Sequence, residues 1–311
     1  MTQRVLLSVS AVALLAAFGF SAVPPAAAQS ASPRTAWGDP DLQGFWTNTT
    51  TTPLERPADL AGREFLTEEE WAERNPGSGI SAFNAGPTGA YNDFWLEKGD
   101  LSMRTSLIVD PADGRLPAPT EAEAARREAE RARLGDGGRP RDSWVDFSTY
   151  NRCISRGMPS GMMPGFYNHN YHIVQTPDHV VILVEMVHEA RIIPLDGRSH
   201  LPAAFRQWMG DSIGWWEGDT LVVETVNLRH GHSEDGGVRV VERLTRTDAD
   251  TIDYRITVHD PRLTAPWTAL LPMAAMEDVL YEYACHEGNY SLANMLAGAR
   301  ADERAAAEGA R

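Results

Sequence analysis

The run from Thr251 to His259 alternates without a break: Ile252, Tyr254, Ile256 and Val258 fall on one side, and Asp253, Arg255, Thr257 and His259 on the other. A helix turns about 100° per residue and would scatter these apolar groups, whereas an extended strand turns about 180° and gathers them on one face. The pattern is that of a half-buried antiparallel strand. Similar runs occupy residues 171–176, 179–186, 190–195, 212–216, 220–227, 238–247, 267–271 and 279–285. Pro177-Asp178, Asp196-Gly197, Glu217-Gly218-Asp219 and Asp248-Ala249-Asp250 punctuate them as turns. About ten short strands joined mostly in sequence predict a mainly β chain, an up-and-down antiparallel meander that closes into a lipocalin-like barrel to remove its edges. A β-sandwich is the alternative architecture.

The segments around this meander read differently. Residues 29–149 are rich in loops and helices, with a first strand over 41–49 and another over 105–109, the latter stopped by Pro111-Ala112-Asp113-Gly114. Thr67 with Glu70, and Thr120 with Glu123, have capping-box spacing and start two helices. Asn75-Pro76-Gly77 stops the first, and Gly135 with Gly137-Gly138 stops the second, a charged helix over 121–134 whose Glu and Arg suit a solvated external insertion. A C-terminal helix from Leu292 offers Leu292, Met295, Leu296 and Ala299 to the barrel wall, before a polar tail. The expected organisation is therefore a leader over 1–28 and one β-rich domain over 29–311, with the meander in 150–290 and the helix and tail in 291–311.

The leader has the three-part grammar of a cleaved secretory signal: Arg4 in a short basic start, an apolar run over 5–20, and Ala26-Ala27-Ala28 before Gln29. Its apolar run is short of the roughly 20 residues that a membrane helix needs. The expectation is a periplasmic or secreted protein with no membrane span. In such a compartment the two cysteines, Cys153 and Cys285, are most simply a disulfide. It would close a loop worth up to ~4–5 kcal/mol of chain entropy. Cys153 precedes the meander and Cys285 ends its last expected strand, so the bond is expected to tie the closing seam.

With 28 basic and 43 acidic residues the formal net charge is −15. That balance repels phosphate backbones and argues against nucleic acid as a partner. Phosphate loops, Gly-x-Gly-x-x-Gly, Gly-x-Ser-x-Gly and His-Glu-x-x-His are all missing, which lowers the case for nucleotide-dependent enzymes, α/β-hydrolases and zincin proteases. No cofactor is expected. His230 and His232 with Glu234 are the one local metal-like grouping, and such a trio in a Gly-rich loop is a common accident, so no metal is expected.

Two groups of residues could carry chemistry. Tyr171, His172, Glu185, His188, Arg191 and His286 supply phenol, imidazole, carboxylate and guanidinium for acid–base catalysis, provided that Glu185 and Arg191 flank a turn beside His188. Tyr167, Asn168, Trp208, Asp211, Trp215 and Trp216 could line a pocket for a small cyclic or aromatic molecule. The same residues have a blander meaning as a cross-strand ion pair, an exposed turn histidine and core filling. A cofactor-independent lyase, isomerase or hydrolase is one expectation; a carrier or sensor of a small apolar ligand is the other. A purely structural envelope protein is the third.

Gly44-Phe45-Trp46 ahead of a meander resembles the lipocalin or calycin pattern. The stretches 105–115, 152–157, 190–198, 216–223 and 281–289 resemble a large group of exported bacterial proteins without an assigned activity. That resemblance spans most of the chain after the leader and implies export, but it carries over no catalytic residue.

Overall fold

Period-two runs of the sequence become strands in the computed structural model, which describes residues 33–74, 97, 99–134, 141–165, 167–229 and 237–309. The expected leader, the helix-stopping segments at Asn75 and Gly135, and the loop with His230, His232 and Glu234 lie outside the described residues. The strands are β1 (Gly44–Thr47), β2 (Ile108–Asp110), β3 (Asn170–Gln175), β4 (His179–Val184), β5 (Glu189–Pro194), β6 (Asp211–Glu217), β7 (Thr220–Val226), β8 (Arg239–Arg246), β9 (Thr251–His259), β10 (Trp267–Leu270) and β11 (Met273–Ala275). The helices are α1 (Glu68–Arg74), α2 (Glu121–Leu134) and α3 (Tyr290–Gly309), none with a buried apolar side chain. Among the described residues, no helix is long and apolar enough to cross a membrane.

The fold is mainly β, a nearly closed antiparallel barrel. Its strands follow the order β5-β4-β3-β1-β11-β9-β8-β7-β6, with β10 extending the β11 side of β9 and β2 pairing with β10. Most neighbours are consecutive hairpins, as in an up-and-down meander; β1, from the N-terminal part, is inserted between β3 and β11. Pro272, which has no N–H to donate, separates β10 from β11 as they run along β9.

Strand parity decides how this ring ends. Every adjacent pair in the nine-strand order is antiparallel. Direction therefore reverses at each step, and an odd number of strands leaves the two end strands, β5 and β6, running parallel. They lie side by side, yet among the described residues no hydrogen-bonded ladder joins them. Side chains close the gap instead. A Cβ on Gly214 of β6 would stand 2.9 Å from both Ile193 Cγ2 and Leu195 Cδ2, so only glycine lets these two β5-side residues seat against β6.

Inward positions are filled. Trp46, Tyr171, Ile173, Ile182, Ile193, Leu221 and Tyr254 are all fully buried and belong to one apolar cluster. Ile252, Tyr254, Ile256 and Val258 face it, as their alternation predicts. Burying each such side chain is worth roughly 1.5–3 kcal/mol, which commits the barrel to a packed interior.

Cys153 and Cys285 form the expected disulfide, with Cα atoms 5.6 Å apart. Its expected position at the seam is overturned: the seam lies between β5 and β6, and neither cysteine is in a strand. The bond pins the segment leading into α3 to the turn at 150–153, where the Asn289 side-chain amide also donates to the Asn151 carbonyl at 2.8 Å. The expected strand over 279–285 is likewise not formed. Val279 and Tyr281 remain exposed there, because β10 and β11 already occupy the edge of β9 that such a strand would need. In α3, Leu292, Met295, Leu296 and Ala299 are only half-buried.

Replacing Gly214 by Val forces a branched side chain into the space held by Ile193 and Leu195. The expected cost is about 1–3 kcal/mol of unfolding free energy in a urea titration. Unchanged stability would mean that the seam is not closed at this point.

Candidate functional site

Inside the barrel the period-two pattern carries two charges to inward positions, Arg191 between the outward Ala190 and Ile192 of β5, and Glu242 between Val240 and Leu244 of β8. They pair across the interior with side chains 1% and 0% exposed. Arg191 Nη1 donates to Glu242 Oε1 at 2.9 Å, and the Tyr254 hydroxyl donates to the same oxygen at 2.7 Å. Thr225 Oγ1 accepts from Arg191 Nη2 and stands 2.8 Å from Ser212 Oγ. Burial works against the Arg191 charge, but the adjoining carboxylate outweighs it and holds the guanidinium above its usual pKa. Burial and then the Glu242 charge push the Tyr254 phenol well up. The pair strings the interior together but presents no reactive group to solvent.

The sequence-derived acid–base set does not converge. Tyr171 is sealed in the core, its hydroxyl 3.4 Å from Asn48 Oδ1 and from the Gly161 carbonyl. His172 is on the opposite face of β3, stacked on Phe45 with ring centroids 4.2 Å apart. Glu185 does not meet Arg191; just beyond β4, it accepts from Asn168 Nδ2 at 3.1 Å and from Asn170 Nδ2 at 2.8 Å. His188 is exposed in a left-handed turn residue (φ 45°), its Nδ1 2.9 Å from the Tyr283 carbonyl. His286 is exposed beside the disulfide. The grouping of Glu185, His188 and Arg191 is thereby corrected: Arg191 faces inward and finds its carboxylate on a strand across the barrel.

The expected ligand-binding set also divides. Tyr167 hydrogen-bonds to Tyr150 through their hydroxyls at 2.9 Å, and burial, followed by its tyrosine neighbours, pushes its phenol up. With Tyr150, Tyr283 and the disulfide it lines a cavity of about 500 Å³. Asn168 joins Glu97 and Glu185, its backbone N–H donating to Glu97 Oε1 at 3.0 Å. Trp215 is an exposed residue near the far end of β6, donating to Glu217 Oε1 at 3.0 Å. Trp216 packs on the core. Trp208 and Asp211, however, line one cleft together.

That cleft opens where the parallel seam is not zipped. Its volume is about 600 Å³, bounded by β5, by the start of β6, and by the loop between them. Gly210 (φ +75°) turns the chain into β6 so tightly that a Cβ would stand 2.6 Å from Thr225 Cγ2 and 2.7 Å from Leu228 Cδ2. Arg191, Arg198, Arg206 and Arg229 contribute to the lining. The Arg229 guanidinium carbon lies 4.6 Å from the Trp208 ring centroid, within cation–π range. Asp211 is held on three sides, by Arg198 Nη2 at 2.7 Å, the Leu201 N–H at 2.8 Å and His200 Nδ1 at 2.9 Å. Burial pushes its carboxyl up, and these donors more than reverse that. Glu189, on the other wall, is pushed up by burial while the Ser155 hydroxyl donates to it at 2.6 Å.

Two functional neighbours escape a reading of the sequence. His200 bridges Asp211 and Glu224, with Nε2 3.2 Å from Glu224 Oε1; nothing periodic marks it, because only the folded loop brings β6 and β7 to its two sides. His169 is buried, its Nδ1 2.8 Å from the Met163 carbonyl and its Nε2 2.9 Å from Arg156 Nη1. Burial, then the Arg156 charge, pushes its pKa down to about 4, so it is neutral near pH 7. Among the described residues no group of three or more His, Cys, Asp or Glu side chains could hold a metal ion. No family model and no curated protein matches the sequence.

Arg191→Met alone leaves Glu242 buried without its partner, and should cost about 3–5 kcal/mol in denaturant unfolding. Arg191→Met combined with Glu242→Leu should recover most of that loss. A double variant as unstable as the single one would refute the pairing.

Proposed function

We propose that this chain is an exported small-molecule carrier that takes its ligand in the seam cleft between β5 and β6, and does not transform it. The observation that carries this reading is the cleft itself: about 600 Å³, with the Trp208 ring, polar groups from both end strands, and a packed barrel behind it. Volumes of this order suit a small organic molecule. The filled interior supports a seam site over a calyx of the lipocalin kind, since Trp46, Tyr171 and Tyr254 occupy the space that such a ligand would need.

The carrier reading is favoured over an acid–base enzyme because the candidate acids and bases are spread over the interior, the outer face and the rim. The nearest alternative base, His200, has both ring nitrogens engaged by protein carboxylates, of Asp211 and of Glu224, rather than turned to a substrate. Export to the periplasm is supported by the grammar of residues 1–28 and by the Cys153–Cys285 bond. Membership of the exported bacterial group belongs to the same proposal, on the stretches quoted above.

A thermal-shift screen of the purified protein against small aromatic acids, amides and sugars tests this. Compounds that raise the melting temperature should lose about tenfold or more in affinity with Trp208→Ala, keep it with Tyr254→Phe, and be recovered chemically unchanged by mass spectrometry. Hits indifferent to Trp208→Ala, or converted to product, would contradict the proposal.

A further inference from the structure

The charge of the seam cleft runs against the charge of the protein. The chain as a whole is acidic, at −15, yet the cleft is lined by Arg198, Arg206 and Arg229 against the two carboxylates of Glu189 and Asp211, while the Arg191 guanidinium turns inward to Glu242. Both carboxylates are already engaged within the protein. Asp211 spends its oxygens on Arg198, His200 and the Leu201 N–H, and Glu189 accepts from the Ser155 hydroxyl at 2.6 Å. Behind the wall, Glu242 balances Arg191. Arg206 and Arg229 are exposed at the lining, and Arg229 is braced on the indole of Trp208.

From this we infer that the ligand of the cleft is a planar organic anion, most simply an aromatic carboxylate, whose ring packs beside Trp208 and whose carboxylate takes the N–H edge of Arg229. The inference rests on the carrier reading and adds the ligand class to it. A guanidinium held against an indole is partly ordered in advance, so less side-chain entropy is lost when it meets a carboxylate, and its paired N–H groups match the two oxygens. An acidic surface around a basic cleft also narrows the choice. The acidic balance of the chain disfavours anions in general, whereas the arginines of this cleft favour an anion over a neutral aromatic.

The test compares 2-naphthoate with its neutral isostere 2-naphthamide, by calorimetric titration of the full protein at low salt. The naphthoate should bind at least about tenfold tighter than the amide. Arg229→Gln, and separately Arg206→Gln, should shrink that ratio toward one while leaving the amide's own affinity in place. Because both arginines are exposed, these variants are expected to fold; a salt series on the unaltered protein makes the same distinction without them, naphthoate weakening as salt rises and naphthamide not. Equal affinity for the two probes, both lost with Trp208→Ala, would overturn the anion inference and leave the cleft as a carrier site. Binding of neither probe would overturn the anion inference and leave the carrier reading to the thermal-shift screen, and binding indifferent to Trp208→Ala would place the probes outside the cleft and remove the inference.

Discussion

A ring of strands joined only by antiparallel pairs closes on itself when the number of strands is even. Here the ring has nine, because β1 from the N-terminal part is inserted into a meander formed by the rest. The two end strands are consequently parallel, and hairpin-type hydrogen bonding cannot join them. The chain meets this in two ways along one seam. At Gly214, removal of a side chain lets Ile193 and Leu195 pack across. Toward Gly210 the strands stay apart, and the loop between them covers the gap as a cleft rather than sealing it. The candidate site is thus a consequence of strand parity and not a feature added to a finished barrel.

The buried pair of Arg191 and Glu242 belongs to the same account. Arg191 sits on β5, at one side of the seam, and reaches β8 through the interior. Where backbone pairing is missing between β5 and β6, this side-chain bridge ties an end strand to the far wall. Such a pair adds little net stability over a well-packed apolar alternative. Its use here is one of geometry: a buried guanidinium accepts only an arrangement that delivers its carboxylate, and the Tyr254 and Thr225 hydroxyls add to the pair while Arg191 Nε is left without a hydrogen-bond partner. That requirement fixes which residues of β5 face the cleft.

The strands were legible because alternation is local; each of β3 to β9 was readable from a window of a few residues, and Thr251–His259 matched to the residue. The disulfide was legible from two cysteines and a leader. What local pattern could not show was competition for an edge. The run 279–285 is as apolar as several true strands, yet β10 and β11 hold the place beside β9, and β11 was hidden by its shortness and by Pro272. The site was half legible. Trp208 and Asp211 were singled out together and do share a cleft, while Arg191 was paired with Glu185 across a local turn instead of with Glu242 on β8. A signal for the true partner existed: Arg191 and Glu242 are charges at inward positions of two period-two runs, and buried charges must be paired. His200 offered no such signal, since its partners on β6 and β7 meet it only in the folded loop.

Amide hydrogen exchange, resolved residue by residue in solution, examines the open seam most directly. A strand paired on both sides exchanges slowly along its whole length, and one with an unpaired edge shows alternating fast and slow amides. The account predicts slow exchange throughout β7, β8 and the paired length of β9, and alternation in β5 and β6, with the fast amides on the edges that face one another. Uniformly slow exchange in β5 and β6, equal to that of β8, would mean that the barrel is zipped shut and would contradict the parallel, unladdered seam on which the cleft depends.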